Sequence, residues 1–118
     1  MRSEPFTPPP ARRRAPRGPR ELLAAALVAL GEDKGRIVSH SEKSWASITF
    51  AGTRHRVEMV FSGSEAVDAG ECFIAFLPEH EFAIRGHLVA DAAVVEVEST
   101  VEPPRLSITC EILLLEEG

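Results

Sequence analysis

A chain of 118 residues has the length of one domain, enough to bury a core without disulfides or metal, and its 44% hydrophobic and 26% charged residues are ordinary for a soluble protein. The net charge of -5 is uneven: residues 1–20 carry six arginines against Glu4, for +5, and the remainder holds seven basic and seventeen acidic groups, for -10. An acidic body repels phosphate, so contact with nucleic acid or an anionic membrane is left to the arginine-rich tail alone.

Residues 1–19 hold six of the nine prolines and read as a disordered Pro/Arg-rich tail, because so little apolar area cannot offset the entropy of ordering. Residues 20–118 read as a single α+β domain. Arginines ahead of LLAAALVAL suggest a targeting signal, but Glu21 opens the run and no small-residue cleavage site follows it. No run approaches the roughly 20 apolar residues of a membrane-spanning helix.

Pro19 suits the first turn of a helix over about 20–30, where Leu23, Ala26, Leu27 and Leu30 form one apolar stripe and Gly31 ends it. The period then changes to two. A short strand is expected over 36–40, a polar turn over 41–44, and a second strand over 45–50 with Ala46, Ile48 and Phe50 facing inward. Ala51-Gly52 reads as a tight connection, and 53–61 as a third strand with Val57, Met59 and Phe61 inward. Ser62 and Glu65 have capping-box spacing, which predicts a helix over about 64–77 that Pro78 ends. Gly70 costs about 1 kcal/mol inside a helix, and CFIAFL (72–77) also fits a strand. Two strands finish the chain, 82–99 and 106–116, joined across Pro103-Pro104; in the last, Leu106, Ile108, Cys110, Ile112 and Leu114 share a face.

The order α-β-β-β-α-β-β predicts an α+β fold: an antiparallel sheet of about five strands with two helices, a two-layer sandwich. By element order alone it is similar to secretion-chaperone-like folds, a resemblance that implies a small, acidic, dimeric protein. Strands 92–97 and 112–115 are apolar on both faces, so Val95, Leu113 and Leu115 need cover. A second subunit supplies it if both helices share one face; the first helix supplies it if they do not. A contiguous exposed patch is uncommon on a monomer, which favours a homodimer. Trp45, outside the inward parity, joins Val95, Leu113 and Leu115 as a candidate interface residue.

The phosphate-binding, nucleophile-elbow and zinc-protease motifs are missing, and seven aromatic side chains give no base-stacking platform. Cys72 and Cys110 have no metal-ligand spacing; they read as reduced core fillers of a cytoplasmic protein, with no metal or cofactor expected. His80 and His87 lie in one polar group with Glu79, Glu81, Arg85 and Asp91. His87 and Asp91 stand about 13 Å apart on a regular strand, so a catalytic site of His87, Arg85, Asp91 and His55 requires a bulge or turn. His55 shares parity with Val57 and reads as a rim histidine or a pocket liner.

Two functions follow from these features. The first is a non-enzymatic domain that dimerises and binds a protein partner. The second is a small enzyme or small-ligand binder built on His87, Arg85, Asp91 and His55, its ligand unspecified. The stretch HEFAIRGHLVADAAVVEV bears on both. Its apolar residues sit at even positions up to Ala90 and at odd positions from Ala93, and a bulge near Ala90–Ala92 would keep both halves facing the core.

Overall fold

Helix α1 runs Pro19–Leu30, with Pro19 in its first turn. The Gly18 amide donates to the Glu21 carboxylate at 3.1 Å, which satisfies one of the orphan donors at this end. The computed structural model describes residues 18–117, so the expected disorder of the tail lies outside the described residues as far as residue 17. Glu32 and Asp33 adopt left-handed φ of 60° and 59° and turn the chain into the sheet.

Four strands follow: β1, Gly35–Ala46; β2, Ala51–Ser62; β3, His87–Val101; and β4, Pro104–Glu116. They form one antiparallel sheet in the order β1-β2-β4-β3. Helix α2, Ser64–Phe76, stands between β2 and β3, and a short 3-10 turn at Leu77–Glu79 carries Pro78. The class is α+β, as expected.

Four strands replace the five read from the sequence. Residues 36–40 and 45–46 belong to one strand, which passes straight through the polar residues 41–44. An edge strand tolerates such a sequence because water satisfies its outer side. The real turn is 47–50, where the Ser47 amide donates to the Phe50 carbonyl at 2.8 Å and the Ser47 hydroxyl accepts from the Phe50 amide at 3.1 Å. Ile48 and Phe50, expected inward, are therefore out in solvent, at 103% and 51% exposure. Ala51-Gly52 is the start of β2 and not a connection.

Two further corrections are local. Ser62 does not cap α2: it stays in β2 across from Arg105, and Gly63, at φ 99°, takes the cap position. The 72–77 stretch is helical through Phe76, yet Cys72 is exposed, so only Cys110 fills the core. Burial pushes the Cys110 thiol up to about 12.

Leu23 and Leu27 of α1 and Ala66, Ala69 and Phe73 of α2 join a single buried cluster with the strand residues of one parity. Those are Val57, Met59 and Phe61 on β2 and Leu106, Ile108, Cys110, Ile112 and Leu114 on β4. Phe61 occupies the middle. Its ring lies 6.1 Å from that of Phe73, and three glycines close around it. A Cβ on Gly35 would stand 2.5 Å from the Phe61 ring, and on Gly31 or Gly70 3.0 Å. Gly70 thus weakens α2 locally and lets the helix approach the sheet.

The stretch 82–99 is not one strand. Gly86, at φ 78°, makes a turn in which the His87 amide donates to the Ile84 carbonyl at 2.9 Å, and β3 begins only at His87. The register then slips between Val89 and Asp91, where the bulge was expected, and again between Val94 and Glu96. A third slip lies in β1 between Ile37 and Ser39. The expected phase within β3 is reversed: Val89, Ala92 and Val94 pack on the core, and Leu88 is 52% exposed.

Candidate functional site

The register sorts the other strand parity into rows across the second face of the sheet. Among the described residues neither helix contributes to this face, so it is the helix-free face. The end row, nearest the 47–50 turn, is Trp45, Gly52, Leu115 and Leu88. Next come Lys43, Arg54, Leu113 and Asp91, then Ser41, Arg56, Glu111 and Ala93. Beyond them Ser39, Glu58, Thr109 and Glu96 make a polar row over a shallow depression that Glu98 and Ser107 also line.

The structure brings three of the four expected interface residues to this face: Trp45, Leu113 and Leu115. Leu113 and Leu115 are each only 7% exposed, so the chain itself already shields them, contrary to the expected need for a partner. Val95 is the unpaired residue of the second β3 bulge and is 46% exposed on the sheet edge. The apolar surface left open at this end is Leu88 and the 47–50 turn, beside a half-buried Trp45.

A different cluster lies on the helix side. Diagonal neighbours on β1 and β2, His40 and His55, approach until His40 Nε2 and His55 Nδ1 are 2.9 Å apart. One ring nitrogen must donate and the other accept, so the contact holds only while at least one ring is neutral. His55 is 2% exposed. The Arg20 guanidinium, reaching from α1, donates to the His40 carbonyl at 2.8 Å and pairs with Glu42. Burial holds both imidazoles below the usual histidine range; Arg20 and the facing ring add to this at His40, and Glu42 opposes it.

This depression gives stability a pH dependence of definite sign. In the unfolded chain the two histidines take up protons near pH 6.5, and in the folded protein only at lower pH. The unfolded state therefore binds more protons just below that point, and stability, fully present above it, falls as pH falls. The thermal midpoint is expected to drop between pH 7.5 and 5.5, before the carboxylates titrate. A midpoint unchanged over that interval would show that the pair is not held neutral.

The expected catalytic group is divided between the two sheet faces, with the His87 charge close enough to act on His55 and Asp91 on the far side. His87 and Arg85 line an open depression with Phe82, Ile84, Leu88 and Glu117, and the His87 ring nitrogen Nδ1 lies 3.1 Å from the Arg85 carbonyl. Asp91 is across from Leu113 on the helix-free face, and His55 is buried against His40. His80 packs edge-on against Phe82, with ring centroids 4.6 Å apart. Among the described residues no three His, Cys, Asp or Glu side chains could hold a metal ion, and no helix is long and apolar enough to cross a membrane.

Sequence reasoning left out His40. The signal that finds it is the position of the turn: with residues 47–50 as the turn, β1 and β2 pair so that His40 meets Val57 and Glu42 meets His55. No family model matches the chain, and no curated protein matches it. A solved structure, the virion of a native gene transfer agent particle, contains a chain similar to this one at 12% identity and a TM-score of 0.50, over 80% of this chain and 86% of that one. At that identity the likeness is one of fold.

Proposed function

We propose that this protein is a non-enzymatic association module whose working surface is the helix-free sheet face, and that it forms a homodimer and takes a protein partner. The observation that carries the reading is the apolar surface open at one end of that face: Leu88 and the half-buried Trp45, continued by the exposed turn at Ile48 and Phe50. Burying such a surface against a second protein removes apolar area from water, at about 25 cal/mol per Å² before the costs of association. Residues of both helices join one buried cluster with one strand parity, which supports it by leaving the other parity without a helix. A chain of similar fold in a virion is in keeping with a structural role. The net charge of the described body is acidic, which suits a protein partner better than nucleic acid, and we place the protein in the cytoplasm.

Leu88→Glu puts a charge at the open β3 end of the end row without touching the core. It is expected to weaken self-association about tenfold, or roughly 1.4 kcal/mol, with an unchanged thermal midpoint. Light scattering over a concentration series checks this. A wild-type protein that stays monomeric at millimolar concentration would remove the homodimer.

A further inference from the structure

The helix-free face carries a second pattern, at right angles to the apolar row. On its β1–β2 half the charged residues are Arg36, Lys43, Arg54 and Arg56 against Glu58, a balance of four positive to one negative, or +3. On its β4–β3 half they are Glu111, Asp91, Glu96 and Glu98 against Arg105, four negative to one positive, or -3. The boundary between the halves runs along the strands. Arg56 already reaches across it, 2.6 Å from Glu111 and 3.6 Å from Glu96.

We infer that the occupant of this face is a second copy of the chain, packed face to face about a two-fold axis that lies parallel to the strands. This rests on the reading of the face as an association surface, and it adds the geometry. Such an axis lays β1 of one copy over β3 of the other, and β2 over β4, row on row. Lys43 then meets Asp91 of the second copy, Arg56 meets Glu111, and Arg36 meets Glu98, each pair occurring twice. In the end row Trp45 meets Leu88, and Gly52 meets Leu115. A two-fold interface must be its own complement, and this face is.

The competing in-plane axis, perpendicular to the strands, lays β1 over β1 and β3 over β3. Every basic residue then faces a basic half and every acidic one an acidic half, so charge rejects it. The favoured axis also keeps the two sets of strands nearly aligned, as packed sheets prefer, at a spacing of about 10 Å. Charge here selects the partner and the axis, and the open side chains of Leu88 and Trp45 add apolar attraction at one end.

The test uses two full-length variants. Arg36→Glu with Lys43→Glu makes both halves acidic; Asp91→Lys with Glu98→Lys makes both basic. All four positions are exposed, so the core is untouched. Two reversals of two charges each take the net charge from -5 to -9 or to -1, so both variants remain negative and bulk attraction cannot join them. Sedimentation at low salt is expected to show a wild-type dimer, each variant alone weakened at least tenfold, and a heterodimer when the two are mixed. A monomeric wild type overturns the association reading and this inference with it. A dimeric wild type whose variants still self-associate, or whose mixture fails to pair, overturns the axis alone.

Discussion

Replacing Phe61 with alanine is expected to remove about 3–5 kcal/mol of stability, the range for deleting a buried aromatic side chain. The upper part of that range applies here. Phe61 is 0% exposed and sits against Phe73, but three of its nearest neighbours are Gly31, Gly35 and Gly70. A glycine has no side chain to swing into the space the ring vacates, so the void persists. Against a total of about 5–15 kcal/mol for an ordinary domain, the variant would be partly unfolded at physiological temperature. Urea denaturation followed by circular dichroism measures the loss. A loss under about 2 kcal/mol would mean that α1 and α2 settle into the space, and that the ring does not set the helix–sheet distance.

The second large effect is expected at Gly52. A Cβ there would lie 2.0 Å from the Leu114 carbonyl oxygen and 3.0 Å from the Leu115 Cα. Both are backbone atoms, so no rotamer change relieves the contact, and β2 and β4 must part at this end of the sheet. Gly52→Ala is expected to cost about 3 kcal/mol, the top of the usual range for overpacking. Because Gly52 also belongs to the end row, the same change is expected to weaken the proposed self-association. Hydrogen exchange locates the damage: amides near residues 52 and 114 should lose protection ahead of those near Met59 and Ile108. Uniform loss across the sheet would place the strain elsewhere.

Some of this was legible in the sequence, and the reasons are physical. The first helix announced itself through a stripe at 3.6-residue spacing between Pro19 and Gly31, and the second through the Ser62–Glu65 spacing and Pro78. The inward parity of β4 was plain from Leu106, Ile108, Cys110, Ile112 and Leu114, although Leu113 and Leu115 are apolar on the other face. β1 failed that reading because it is an edge: Ser39, Ser41 and Lys43 face one side and His40, Glu42 and Ser44 the other, and neither set is apolar. The alternation of Ala46, Ile48 and Phe50 misled because Ile48 and Phe50 belong to an exposed turn. Misplacing that turn hid the His40–His55 contact, whose partners are 15 residues apart and meet only in one register. The charge division of the helix-free face was hidden for a related reason. Each slip, at Val38, Ala90 and Val95, moves later residues to the opposite face, and local pattern locates only one of the three.

Those slips have a consequence for growth. All three fall in β1 and β3, the two outer strands, and none in the inner pair. A newcomer strand needs a straight rail of amides and carbonyls, and a bulge in each outer strand bends and twists the edge away from it, leaving residues 39–46 as the longest run in unbroken register. Lateral extension, the route to fibrils, is thereby blunted on both sides at once. With lateral growth blunted, the proposed face-to-face pairing is self-limiting, because a stack closed by a two-fold axis stops at a fixed number of copies.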